Sequence, residues 1–304
     1  NTHQPPRSLQ LLCMRALSPR THHRVPFAWR SGGQNIDYRS LADAVGRQAH
    51  QLLSLGVRPG QTVAVAIRDG HSGLIVNQAV GWIGAVLAPL DFIKTPRRAL
   101  TRQLKLLGTQ LVVTDHPEAV PNGDWECVTP RHLNQSGARV DAANWPLDAV
   151  RVALFTSGST GTPRVVTLTG EQLMCSTFGS AARLGHHLDD VWLSCLPGHH
   201  VGGLSIMLRA CWLGITVESH EVFDVETITS RLESGDISMI SLVPEMLERL
   251  TRGRTTNFHP RLRVVLVGGA ALSEALREHC EALGIPLAVS WEMTETASQV
   301  ATSL

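Results

Sequence analysis

A chain of 304 residues with 43% hydrophobic and 17% charged residues has room for two lobes with sizeable cores, which excludes a small stapled scaffold. Lys+Arg 27 against Asp+Glu 26 leaves a net charge of +1, which excludes a general electrostatic field for nucleic acid or an anionic membrane surface. The six cysteines, Cys13, Cys127, Cys175, Cys195, Cys211 and Cys280, are too scattered for a zinc-ligand pattern or a disulfide framework, so a reducing compartment is expected.

Predicted elements alternate along the chain. Residues 38–55 place Leu41, Val45, Leu52 and Leu55 near one helical face, and Gly56 supplies a stop. A strand is expected at 62–67, after the turn Arg58-Pro59-Gly60, and a second, more buried helix over 74–88 before Pro89. Residues 111–114 read as a strand. The Pro- and Gly-rich stretch from Pro117 to Pro146 is the expected boundary between a lobe at 1–146 and a lobe at 147–304.

The second lobe opens with a strand at 150–156, a Ser/Thr/Gly loop and a strand at 164–168. A helix follows from Thr169, where Gln172 completes a capping box. Short apolar runs at 191–195, 215–218, 239–242, 264–267 and 287–290 alternate with helical segments at 202–213, 225–232, 244–250 and 273–283. This order predicts an α/β fold in two lobes, with mostly parallel sheets and flanking helices. No apolar run approaches the roughly 20 residues of a membrane span, and residues 1–26 contain no signal core, so a cytoplasmic protein is expected.

The segment Thr156-Ser157-Gly158-Ser159-Thr160-Gly161-Thr162-Pro163-Arg164 follows a strand directly. Its backbone N–H groups, hydroxyls and Arg164 suit a phosphate cradle, and its composition equally suits a plain surface turn. It is neither a Walker loop nor a dinucleotide fingerprint nor a nucleophile elbow, because the glycine and serine spacings differ.

This segment resembles the phosphate-binding signature of the AMP-forming adenylating superfamily, which reads Thr-Ser-Gly-(Ser/Thr)-Thr-Gly-x-Pro-Lys; Arg164 alone departs from it. Trp291-Glu292-Met293-Thr294-Glu295-Thr296 is similar to that superfamily's Tyr-Gly-Met-Thr-Glu-Thr, Val267-Gly268-Gly269-Ala270-Ala271 to its adenine turn, and Leu196-Pro197-Gly198-His199-His200-Val201-Gly202-Gly203 to its Leu-Pro-x-x-His-x-x-Gly segment. Asp37-Tyr38-Arg39-Ser40-Leu41, 55–60 and 84–90 agree in the first lobe. With Ser298-Gln299 added, the chain is most similar to the o-succinylbenzoate–CoA ligases of menaquinone synthesis.

The resemblance implies the N-terminal domain of an acyl-CoA synthetase-like fold, without the barrel lobe and C-terminal domain that follow in that family. It implies an AMP-forming acid–CoA ligase using ATP, Mg²⁺ and coenzyme A, with a small carboxylic acid as partner and a homodimer left open. Thr156, Ser157, Gly158, Ser159, Thr160, Gly161 and Arg164 would hold the β- and γ-phosphates, and Thr294 the α-phosphate. Glu295 would hold Mg²⁺, a hard cation suited to carboxylate and phosphate oxygens. Gly268, Gly269, Ala270 and Ala271 would lie against adenine with Trp291 offering its face, and His200 would sit near the acyl carboxylate. Residues around Val201, Trp212 and Ser298 would line the acid pocket. Glu292, where the family has glycine, would bring a second negative charge toward the metal ligand and the α-phosphate. Arg164, Trp291 and Glu292 together motivate a second reading, an acyl-adenylate-binding relative that performs only thioesterification. A third is an unrelated nucleotide-binding α/β module, not catalytic.

Overall fold

The computed structural model of the protein describes residues 27–131, 133, 137–156 and 164–304. Contacts divide these into two compact units, one within 36–173 and the other formed by 27–35 with 174–304.

In the first unit, helix α1 (Tyr38–Ser54) starts where the Asp37 carboxylate accepts the Ser40 N–H at 2.7 Å, and it buries the stripe Leu41, Val45, Ala49 and Leu52. It is followed by β3 (Thr62–Ala66), α2 (Gly70–Trp82), β4 (Val86–Pro89), α3 (Arg97–Leu107), β5 (Leu111–Thr114), β6 (Glu126–Val128), β7 (Val150–Thr156) and β8 (Arg164–Thr169). The sheet order is β6-β5-β3-β4-β7-β8; neighbouring strands are parallel except the β7–β8 hairpin. Ala64 and Val112 of the sheet pack with Leu100 and Leu104 of α3 and with Leu90 and Phe92, each large apolar side chain contributing roughly 1.5–3 kcal/mol on burial.

Two expectations are corrected here. The run 74–88 is not one helix: α2 ends at Trp82, Gly84 turns the chain at φ +76°, and 86–89 forms the buried strand β4. An unbroken apolar run has no period that separates a buried helix from a buried strand. The boundary expected at 146/147 falls inside this unit, because β7 pairs with β4 through Leu87 and Val152. The loop before β7 is packed too: the Arg151 guanidinium lies 3.6 Å over the Trp145 ring, and a Cβ on Gly170 would come within 2.6 Å of that indole.

The second unit contains β1 (Phe27–Ser31), β2 (Gln34–Asp37), most of α4 (Gly170–Leu184), β9 (Val191–Ser194), α5 (Val201–Leu213), β10 (Thr216–Ser219), α6 (Val225–Glu233), β11 (Met239–Leu242), α7 (Pro244–Thr251), β12 (Val264–Val267), α8 (Glu274–Ala282), β13 (Leu287–Met293) and β14 (Ser298–Ser303). Its sheet runs β14-β13-β12-β11-β9-β10-β1-β2. The ladders from β13 to β1 are parallel, and β14 is antiparallel to β13. The predicted capping box opens α4: Gln172 N–H donates to Thr169 Oγ1 at 3.2 Å and Thr169 N–H to Gln172 Oε1 at 2.8 Å. Leu193, Ile240 and Val265 from the strands pack with Ile228, Leu232, Leu247 and Cys280 from the helices. Parallel order sends the carboxyl ends of β9, β11, β12 and β13 to one edge, where such sheets bind ligands. Among the described residues, no helix is long and apolar enough to cross a membrane.

Candidate functional site

In the first unit the two ends of the Ser/Thr/Gly loop are juxtaposed. Thr156 ends β7, Arg164 begins β8, and they are register partners. Thr156 is half-buried and Arg164 exposed. The hairpin therefore presents a hydroxyl and a guanidinium at the base of the loop. Ser157, Gly158, Ser159, Thr160 and Gly161 lie outside the described residues.

In the second unit the edge formed by the strand ends holds a pocket with about 310 Å³ of atom-free space, including its open mouth. It is lined by apolar Leu196, Leu242, Val243 and Leu266, by Gly202 and Gly268, by Ser205, Ser241 and Ser298, and by Arg209 and Glu292. Sequence explains how the wall is built. Segment 195–200 turns from β9 into α5, and a Cβ on Gly203 would fall 2.3 Å from Pro197 O, so only glycine lets the first helical turn close on that carbonyl. Likewise, a Cβ on Gly268 would lie 2.6 Å from Ser290 Oγ and 2.7 Å from the Glu292 carboxyl. Ser290 and Glu292 are two residues apart on β13 and both meet this glycine.

Arg209 is the deepest charge, with 1% of its surface exposed. Its Nη1 donates to Gln299 Oε1 at 2.8 Å and its Nη2 to Ser176 Oγ at 3.0 Å, while its buried Nε has no partner. Burial lowers its pKa to about 10, with the negative charge of Glu292 acting in the opposite direction. Ser298 Oγ donates to Glu292 Oε2 at 3.2 Å from a backbone with φ +97°, a conformation serine rarely adopts and one found at strained functional positions. Ala297, at φ +56°, makes the preceding turn, and a register shift between Trp291 and Glu292 re-aims β13.

The remaining predicted residues lie around this edge. Gly268 is buried and its N–H donates to Leu242 O at 3.2 Å; Gly269 (φ +78°), Ala270 and Ala271 are exposed as a turn leading toward α8. Trp291 presents an indole that is 62% exposed. Thr294 and Glu295 sit on a single 3-10 turn, Thr294–Thr296, with Glu295 exposed. His200 is the exposed residue before α5, its ring 4.4 Å from that of His199, and it is not among the pocket-lining residues. Ser298 does line the pocket, whereas Val201 and Trp212 do not. Glu292 points into the pocket, toward Gly268 and Ser298.

Arg209 and Gln299 were not read from the sequence as a linked pair. The available signal was a single arginine inside the otherwise apolar helix at 202–213. For a divalent cation, no cluster of three or more His, Cys, Asp or Glu occurs among the described residues. Mg²⁺ is commonly held by one or two carboxylates together with substrate phosphates, and the exposed carboxylate of Glu295 fits that donor set.

The sequence pattern of the family described as AMP-binding enzyme matches residues 17–304. The chain is 34% identical over 271 residues to the 2-succinylbenzoate–CoA ligase of Listeria monocytogenes serotype 4b (strain F2365), an alignment covering 89% of this chain and 58% of that protein. It is 31% identical over 269 residues to the corresponding ligase of Geobacillus sp. (strain WCH70), covering 87% and 54%. Among solved structures, O-succinylbenzoate Coenzyme A Synthetase from Bacillus subtilis in complex with AMP superposes with a TM-score of 0.89 at 26% identity, covering 98% of this chain and 61% of that one. The same enzyme with ATP and magnesium ion gives 0.85 at 27% identity, covering 96% and 61%. The chain thus spans somewhat more than half the length of these relatives.

Proposed function

Since the chain belongs to the AMP-binding enzyme family, we propose that it carries the acid and nucleotide sites of an AMP-forming carboxylic acid–CoA ligase. The carrying observation is the pocket at the strand ends, where a buried guanidinium with an unpartnered Nε borders the Gly268 turn and the strand leading to Thr294 and Glu295. The relatives' names point to an aryl keto-acid of the 2-succinylbenzoate type. We propose a cytoplasmic protein, working where ATP and coenzyme A are supplied, and a homodimer as its assembly.

In the first half-reaction the acid's carboxylate oxygen bonds to the α-phosphorus of ATP while the bond to the β-phosphate oxygen breaks and pyrophosphate leaves. In the second the thiolate of coenzyme A displaces AMP. Neither half-reaction needs a nucleophile from the protein, so this chain acts by positioning groups and by stabilising charge. Thr156 and Arg164 donate to the β- and γ-phosphates, together with Ser157, Gly158, Ser159, Thr160 and Gly161. Thr294 donates to the α-phosphate. Gly268, Gly269, Ala270 and Ala271 form the floor under adenine, and Trp291 offers a flat apolar face to it. His200 stands at the acyl carboxylate as it approaches phosphorus. Glu295 would hold Mg²⁺, which would supply neutralisation of the charge developing on the phosphates.

Acid-dependent exchange of labelled pyrophosphate into ATP tests this reading on the purified protein. Exchange that needs both the acid and Mg²⁺, and that falls by about 10²–10³-fold in Arg164→Ala, supports it. Release of ADP instead of AMP would overturn it. Thioester formation from supplied acyl-adenylate without exchange would favour the second reading, for which Glu292 inside the pocket is the specific observation.

A further inference from the structure

We propose that the outward side of helix α3 is a docking face for anionic phospholipid, on which the protein rests reversibly at a membrane surface without entering it.

The net charge of +1 is an average over the chain, and the cations are not spread evenly. From Phe92 to Thr114 there is no Asp or Glu, yet Lys94, Arg97, Arg98, Arg102 and Lys105 all fall there, both lysines of the chain among them. All of these cations are exposed. Arg97 is used locally, its Nη2 donating to Glu118 O at 2.9 Å and to Val120 O at 3.1 Å. The other four pair with no carboxylate among the described residues. Asp91, the carboxylate nearest to Lys94 in sequence, accepts the backbone N–H groups of Ile93 and Lys94 on Oδ1, at 3.0 Å each.

Helix geometry gathers the charges. At about 100° per residue, Arg98, Arg102 and Lys105 fall on one stripe opposite Leu100 and Leu104, which are buried against Ala64 of β3 and Val112 of β5. Leu106 borders that stripe with 54% of its surface exposed, and Ile93, fixed just before the helix by the Asp91 turn, is 52% exposed. The apolar side of α3 is therefore already committed to the core, and the outward side offers unpaired cations with an apolar side chain near each end.

Cations in a row attract anions that can move to meet them, which the headgroups of a fluid leaflet do; Ile93 and Leu106 suit the boundary between headgroups and acyl chains. A nucleic acid also offers phosphates, but single strands are gripped by stacking on aromatic side chains, and Phe92, the one aromatic residue of this segment, is buried. Each basic residue close to an anionic leaflet strengthens attachment about fivefold, so four give roughly several hundredfold, enough for reversible and salt-sensitive binding.

Co-sedimentation of the purified protein with sucrose-loaded vesicles tests the inference. Vesicles with about one-third phosphatidylglycerol are expected to carry the protein down and vesicles of phosphatidylcholine alone are not, with at least about tenfold weaker binding at an ionic strength near 0.5 M than near 0.05 M. The double variant Arg98→Glu, Arg102→Glu changes only exposed side chains and should lower the partition to anionic vesicles by at least about 25-fold. Absence of binding to anionic vesicles, equal binding to both kinds, or undiminished binding of the double variant would overturn the inference and leave the ligase reading in place. The comparison of the two vesicle types needs only the wild type, so it decides the matter even if the double variant fails to fold.

Discussion

Arg209 Nη1 donates to Gln299 Oε1 at 2.8 Å, so the most deeply buried charge of the second unit is held by a neutral amide. Gln299 also accepts from Ser180 Oγ at 2.7 Å, which ties α4, α5 and β14 together at one oxygen. Removing the acceptor and removing the charge should therefore differ. Gln299→Leu strands a buried guanidinium and should destabilise the protein by about 2–4 kcal/mol. Arg209→Met removes the charge, leaves Ser176 bonded to Ala297 O and Ser180 bonded to Gln299, and should cost less than about 1.5 kcal/mol. Urea denaturation followed by tryptophan fluorescence measures both; an equal loss in the two variants would contradict the argument.

Glu218 gives a pH prediction. Burial favours its neutral form, but hydrogen bonds from His220 and Arg231 outweigh that and hold its pKa near 2, down from 4.5. Arg231 approaches it on both oxygens, at 2.6 and 2.9 Å. A depressed carboxyl contributes stability that is complete above its unfolded pKa and is lost as pH falls from about 4.5 toward about 2. The contribution is of order 1–3 kcal/mol. Denaturation midpoints at pH 6 and pH 3 should differ less in Glu218→Gln than in the wild type.

Trp145 covers a charge in the first unit. Arg151 is buried, its pKa lowered by desolvation to about 10, with its guanidinium against the indole and one contact to Ala85 O at 3.4 Å. Trp145→Ala should cost about 2–4 kcal/mol, by removing packing area and the cation–π contact together. Trp145→Phe should recover a substantial part of that in the same denaturation measurement.

Two adjacent glycines should respond oppositely to alanine. A Cβ at Gly203 meets Pro197 O at 2.3 Å, whereas one at Gly202 meets only Leu196 Cδ1 at 3.6 Å. Gly203→Ala should lose about 1–3 kcal/mol or more and weaken ligand binding at the pocket, because backbone must move. Gly202→Ala, inside helix α5, should be neutral or gain up to about 1 kcal/mol. Thermal melts of the two variants check this contrast.

Much of the architecture follows from local pattern. The Thr169–Gln172 capping box, the Asp37 N-cap, the amphipathic stripe of α1 and the alternation of short apolar runs with helices involve residues a few positions apart, so adjacent sequence contains their whole cause. The motif segments were legible for the same reason: a turn that must place backbone close to a ligand restricts residue type position by position. Strand β4 was not legible, because complete burial erases periodicity. Nor was α3 read, although Leu100 and Leu104 mark its buried side, or β14, whose identity depends on pairing with β13. The pocket at the strand ends was decided by tertiary structure alone. Arg209 and Gln299 are 90 residues apart, and Arg209 and Ser176 33. Sequence named Glu292 as a departure, but the space left by Gly268, the shifted register of β13 and the Ser298 hydroxyl decide that its carboxylate turns into the pocket that Arg209 also lines. Charges that meet across such separations are set by how strands and helices pack, which no local pattern encodes.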